Sequence, residues 1–363
     1  MRKHFSEYFR PTVEETKLLW EEAVFIFDTN VLLNLYRMSQ ETSLAIREIL
    51  KKLKGRLFLP HQVAVEFFRH REEEIAKQVN AFERVRQSLK KIPDEFKKDI
   101  SRHPCIPITA ITEALKRCVD KQIAIVNRSQ QANQLNFLTQ DDSILIELDD
   151  LFAGSSEGPY SDADEAALNK KVEDRFQQNL PPCFIPSGGK ASAPPTTNSH
   201  SGDGRVWFQI VRYTETAKKH IIFVTGDEKT NWWRTAKLGS QDHVVGPHFE
   251  LIRDVESASG KRFMMYTQEE FLSQASKYLG VPEQTQAIDE VRQILERDSM
   301  EKGFDLLDET KSSPEELERL GETEYDLKGD ILVKDTGWFD EPKSNPHKES
   351  KNQQEVEPNE EVD

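Results

Sequence analysis

The chain has 363 residues, a net charge of −15, 36% hydrophobic residues and a mean hydropathy of −0.68. That length holds one large domain or two small ones, and the low apolar content implies that part of the chain is not packed. No run approaches the ~18 apolar residues of a membrane span, so none is expected.

The charge is unevenly placed. Residues 281–363 carry 25 acidic and 10 basic residues, which leaves 39 of each sign in residues 1–280. The body is therefore neutral and lacks the global basic field of a strong nucleic-acid binder, although local basic patches remain open to it. Cys105, Cys118 and Cys183 are an odd, sparse set without metal-type spacing, which suits a reducing cytosol. The opening Met1-Arg2-Lys3-His4-Phe5-Ser6 lacks an apolar signal-peptide core. A cytoplasmic location is expected.

In chain order, residues 5–22 read as a short helical approach. Val24-Phe25-Ile26-Phe27 is a continuous apolar run that suits a strand buried on both faces, as in a parallel sheet. It runs straight into Asp28-Thr29-Asn30. Residues 31–53 read as helix, with a break and N-cap between Ser39 and Ser43 and a stop at Gly55. Arg56–Pro60 reads as a second strand, and the strand, helix, strand series implies a right-handed parallel crossover. Pro60 opens a helix with Val63, Phe67 and Phe68 on its apolar stripe and Glu66 one turn in. That helix should break at Ile92-Pro93 and His103-Pro104, and a second helical segment spans roughly 109–139. The pair is expected to form a charged helical hairpin projecting from the sheet. Its charges are read either as a solvated face or as an arm that grips a substrate or partner.

Helices are expected at 141–152 and 162–178, and residues 180–204 have loop chemistry throughout. Val206, Trp207, Ile210 and Val211 mark another helix. Ile221–Thr225 is the clearest buried strand, ended by Gly226-Asp227. A helix at 247–259, a strand at 262–266 and a helix at 268–279 follow. Beyond Pro282 the sequence turns polar and acidic. One helical pattern (Ile288, Val291, Ile294, Leu295) persists there, and residues past about 310 read as disordered.

Asp28 and Asp227 each follow a buried strand, and parallel strands align their carboxyl ends. Open α/β sheets place ligand sites at that edge. Glu66, one turn into its helix, and Asp203, at a helix start, face the same edge. Four converging acids raise one another's pKa values unless a cation relieves them. Oxygen ligands without His or Cys point to Mg²⁺ or Mn²⁺, which activate water and support in-line displacement at phosphorus. Each acid also has an ordinary reading: a helix cap for Asp28 and Asp203, a surface residue for Glu66, a turn acid for Asp227. Past Asp227, Lys229 and Arg234 flank Trp232 and Trp233, a pattern suited to phosphate contact and base stacking. The Trp pair can equally plug the core. Arg69 follows Glu66 by about one turn.

Phe-Asp-Thr-Asn-Val-Leu-Leu-Asn-Leu-Tyr-Arg (27–37), Pro-His-Gln-Val-Ala-Val-Glu-Phe (60–67), Gly-Asp (202–203) with Trp207, and Phe-Val-Thr-Gly-Asp (223–227) with Trp232-Trp233 resemble PIN-domain nucleases. The closer resemblance is to the bacterial PIN-like branch with a large helical insert. It covers about 1–280. It implies a Rossmann-like, three-layer parallel α/β sheet with a helical-hairpin insertion at about 70–180 and a flexible loop at 180–202. The acidic tail, 281–363, lies outside it.

The resemblance also implies Mg²⁺- or Mn²⁺-dependent hydrolysis of phosphodiester bonds, mostly in RNA. Asp28, Glu66, Asp203 and Asp227 are then the catalytic and metal-site acids, with Asn30 and Thr225 as polar neighbours that orient them. Lys229, Arg234, Trp232 and Arg69 are the expected substrate contacts. Gly226 departs from the pattern, since close relatives often carry an acid there.

The leading expectation is an endoribonuclease, with a toxin or phage-defence role implied by resemblance alone. The alternatives are a non-catalytic PIN scaffold that binds RNA or protein, and a DNA-directed, structure-specific nuclease. A haloacid-dehalogenase-like phosphatase ranks last, because it wants a second Asp where Asn30 stands. A protein partner or inhibitor could dock on the arm or the tail.

Overall fold

The computed structural model describes residues 1–2, 4–100, 105–132, 142–183, 199–226, 230–239 and 241–309. Asp227, Lys229, most of the loop expected at 180–202 and the tail beyond 309 lie outside the described residues. Two compact units divide the chain, Met1–Gly303 and Phe304–Asp363. Of the second, only residues 304–309 are described, in helix.

The first unit is mostly helical. After a short 3-10 turn at Ser6–Tyr8, α1 (Val13–Glu22) starts with a capping box, in which Thr12 and Glu15 satisfy each other's backbone N–H groups. Its Trp20 is buried, stacks on Phe271 and donates to the Tyr266 hydroxyl at 3.1 Å. β1 (Val24–Phe27) is buried at all four positions. α2 (Thr29–Arg37) and α3 (Gln40–Lys52) are separate helices, because Met38 is extended and the Ser39 hydroxyl caps the second one. α4 (His61–Ile100), α5 (Ile108–Ala132), α6 (Ser143–Phe152), α7 (Asp162–Gln177) and α8 (Ser199–Ala217) follow. Then come β2 (Ile221–Thr225), β3 (Trp233–Leu238), β4 (Gln241–Pro247), α9 (Phe249–Ser259), β5 (Phe263–Thr267), α10 (Gln268–Leu279) and α11 (Thr285–Glu309).

β1, β2 and β5 form a small parallel sheet in the order β1-β2-β5. Val24 pairs with Ile221 and Phe27 with Val224, so the carboxyl ends of β1 and β2 lie side by side. Both strands are wholly buried, and each fully buried Ile, Val or Phe contributes about 1.5–3 kcal/mol. β3 and β4 make a separate antiparallel hairpin that local sequence did not announce.

Two expectations are corrected. Residues 56–60 do not form a strand. They make two isolated parallel bridges, Leu57 to Phe25 and Leu59 to Ser156, because Gly55 (φ +82°) has just turned the chain and α4 begins at His61. Pro93 does not break α4. It is buried on the face toward α5, and tertiary packing outweighs the lost backbone hydrogen bond. The helical pattern expected at Ile288, Val291, Ile294 and Leu295 is present as α11. α11 buries Ala287, Val291 and Ile294 in the core. Its Glu290 accepts from the Ser39 backbone N–H (2.8 Å), the Ser39 hydroxyl (2.7 Å) and the Thr42 hydroxyl (2.9 Å). Burial works against that charge, but these donors hold the carboxyl below its ordinary pKa. Among the described residues no helix is long and apolar enough to cross a membrane.

Candidate active site

Asp28 sits where β1 turns into α2. Its Oδ1 accepts the Thr29 N–H at 2.8 Å and caps the helix. Its Oδ2 accepts the Thr225 hydroxyl at 2.7 Å and the Asn30 amide at 2.8 Å. Thr225 closes β2, so this bond ties the two strand ends together. One carboxylate thus serves both as helix cap and as the centre of the strand-end cluster.

Asn30 completes the tie, because its Oδ1 accepts the Gly226 N–H at 2.8 Å. A Cβ at Gly226 would stand 3.2 Å from that oxygen. A side chain at 226 would therefore press on the Asn30 amide.

Glu66 lies in the second turn of α4. Its Oε2 accepts the Thr29 hydroxyl at 3.2 Å, and its Oε1 accepts the Gln62 amide at 2.7 Å. Thr29 thus stands between the two acids, giving its backbone N–H to Asp28 and its hydroxyl to Glu66. Gln62 is held in turn by Arg205, whose Nε donates to Gln62 Oε1 at 2.8 Å. Arg205 also bonds Asn169 at 2.6 Å and pairs with Glu165.

Asp203, in the first turns of α8, accepts the Asn231 amide at 2.7 Å. The glycines on either side of it have physical reasons. A Cβ at Gly202 would fall 2.6 Å from Glu66 Oε1. A Cβ at Gly204 would fall 2.5 Å from the Cys183 sulfur and 2.9 Å from Val172 Cγ1. The close approach at Gly202 brings the start of α8 against Glu66. Burial, with Asp203 adding to it and Arg175 opposing, pushes the Cys183 thiol up to about 12. Cys183 is therefore a neutral packing group behind Asp203, not a nucleophile.

The donor atoms at this edge are all oxygen: three carboxylates, the Thr29 and Thr225 hydroxyls, and Asn231 Oδ1. That last atom is on a residue only 5% exposed and has no hydrogen-bond partner among the described residues. Such a set fits a hard divalent cation. Among the described residues no three His, Cys, Asp or Glu side chains are close enough to hold one ion, and Asp227 is outside them.

Sequence reasoning missed Thr29, Gln62, Arg205 and Asn231. Only Gln62 left a signal, its spacing of four from Glu66 on a helix.

The expected substrate contacts divide. Arg69 is exposed on α4, three residues past Glu66. The Arg234 guanidinium is half-buried, donates to the Pro247 carbonyl at 2.9 Å and lies 3.6 Å over the Phe249 ring. Trp232 is a correction. It is 1% exposed, with its ring packed against Phe223 and Trp207, so it cannot stack a base. Trp232→Ala is expected to cost about 3–5 kcal/mol in urea unfolding, the price of a large aromatic cavity. A cost under about 1 kcal/mol would mean the ring is not in the core.

Residues 24–251 match the family model described as a PIN-like domain, which is more than half of the chain. Searches of curated proteins and of solved structures found no match. PIN domains are generally nucleases, typically with divalent metals. The match begins at β1 and ends in α9, so it spans Asp28, Glu66 and Asp203, and the chain belongs to the PIN-like domain family.

Proposed function

We propose that the chain is a metal-dependent endoribonuclease whose site is built from Asp28, Glu66, Asp203 and Asp227. The observation that carries this reading is the Asp28–Thr29–Glu66 link at the carboxyl ends of parallel strands. Mg²⁺ or Mn²⁺ bound there would activate a water and stabilise charge on the scissile phosphate. The chain's own residues fix the acids. Thr225 and Asn30 hold Asp28 Oδ2, Thr29 and Gln62 hold the two oxygens of Glu66, and Asn231 holds Asp203. Asp227 follows Gly226 directly in sequence, and Gly226 is anchored to Asn30. Arg69 and Lys229 supply phosphate contacts, while Arg234 holds the base of the β3–β4 hairpin. The same reading takes the sheet as the middle of a Rossmann-like, three-layer arrangement, with α4 and α5 as its helical insertion.

The test is incubation with labelled RNA and labelled DNA in Mn²⁺, Mg²⁺ or EDTA. RNA should be cut internally with either metal and remain intact in EDTA. Cutting of DNA alone would replace the ribonuclease with a DNA-directed enzyme. Binding without cutting would favour the scaffold.

A further inference from the structure

α4 is ~60 Å long at 1.5 Å per residue. Between Phe82 and Ile100 its shielded positions are 82, 86, 89, 93, 96 and 100, spaced alternately four and three. α5 shields 108, 111, 112, 115, 119, 123, 126 and 130, a stripe spaced mostly by three and four. The two helices pack together, and Arg86 reaches from α4 to Asn127 (3.3 Å) and Gln130 (2.6 Å) of α5. This is the seam of a two-stranded antiparallel coil.

The face turned away from the seam is basic. His70, Lys77, Arg84, Lys91 and Lys98 recur every seventh residue. Arg84 is eighteen residues past Glu66, five full turns, and so on the same side of the helix. Near the root the basic charge is neutralised, since Lys77 pairs with Glu73 (3.1 Å) and Glu74 (3.0 Å). Further out the sequence carries a net positive charge. Residues 84–132 hold 11 basic and 5 acidic residues in a chain of net −15. Arg84, Lys90, Lys91, Lys97, Lys121 and Arg128 are exposed and form no ion pair among the described residues. Exposed Asp94 and Glu95 stand beside Lys91 on the outward side, but the arm as a whole keeps an excess of positive charge.

We propose that the distal arm is a second nucleic-acid contact, which grips the phosphate backbone of an extended RNA remote from the cleavage site. The proposal rests on the nuclease reading and adds a length requirement. Arg84 lies ~27 Å along the helix from Glu66. At the ~3.4 Å rise of a stacked strand about 8 nucleotides span that distance, and a fully extended single strand, at roughly twice that rise, spans it with about 4. Weak exposed charges act collectively here, through counterion release at each phosphate.

The experiment uses the full chain carrying Asp28→Asn, with and without Arg84→Gln, Lys90→Gln, Lys91→Gln and Lys97→Gln. Fluorescent single-stranded RNAs of about 3 and about 30 nucleotides are titrated across a salt series, and the melting curve of each chain is recorded. On the long RNA the four Gln substitutions should flatten the slope of log K against log salt by about 3 and weaken binding at least about tenfold at low salt. The short RNA should bind both chains alike, and the melting curves should coincide. Parental affinity and slope for the substituted chain on the long RNA would overturn the arm while leaving the nuclease reading intact. Equal losses on short and long RNA would also overturn it, because the charges would then act at the site. If polyglutamate binds the arm more tightly than RNA does, the partner is an acidic protein and the proposal fails.

Discussion

Asp28→Asn is expected to lower kcat/KM on RNA by at least about 10³-fold while the chain stays folded. Three donors converge on this carboxylate: the Thr29 N–H, the Asn30 amide and the Thr225 hydroxyl. An amide has one acceptor oxygen. It can keep the helix cap or the strand-end tie, but not both, and its own N–H groups meet donors on the other side. Stability should fall by about 1 kcal/mol, the net value of one hydrogen bond at a half-buried site. The larger effect is on chemistry, because the negative charge at the meeting point of β1 and β2 is gone. Steady-state cleavage of labelled RNA and urea unfolding measure the two quantities. Activity within tenfold of the parent would remove Asp28 from the catalytic set, and unfolding at room temperature would make it a structural residue.

The glycines beside Asp203 should separate activity from stability. Gly202→Ala places a methyl 2.6 Å from Glu66 Oε1, the far end of a flexible side chain. The carboxylate can swing aside cheaply, so stability should change by less than about 1 kcal/mol. It cannot swing and still hold both the Gln62 amide and the Thr29 hydroxyl. A displacement of about 1 Å at a reacting group costs on the order of 10²-fold, and kcat/KM should fall by that much. Gly204→Ala does the reverse. Its methyl meets the buried Cys183 sulfur at 2.5 Å and Val172 at 2.9 Å, neither of which has space to retreat. Overpacking should cost about 1–3 kcal/mol, partly recovered by adding Cys183→Ala. Urea unfolding and kcat/KM on the three variants decide the matter. Equal losses of stability and activity in Gly202→Ala and Gly204→Ala would mean that the start of α8 does not bear on Glu66 as described.

The sequence by itself determined the elements that depend on short windows. β1 and β2 are unbroken apolar runs, and no other local structure hides such a run from water as well as a strand buried on both faces. α10 begins at Gln268 behind the Thr267 cap and ends at Gly280 in the left-handed conformation, both of which are local chemistry. Parallel pairing of β1 with β2 then brings Asp28, Asn30 and Thr225 together, because two acid-tipped strands in register leave their ends nowhere else to go.

Only the tertiary structure decided the rest. An aromatic ring carries no address: Trp232 is buried because Phe223 and Trp207 surround it. Pro93 reads as a break until α5 packs against it. α11 is legible as a helical pattern, but its docking on the body rests on Glu290 meeting Ser39 and Thr42, about 250 residues back along the chain. The supports of the acids, Gln62 from Arg205 and Asp203 from Asn231, also join distant segments. In most of these cases the deciding energy is burial or hydrogen bonding between groups far apart in sequence, and no local window contains both partners.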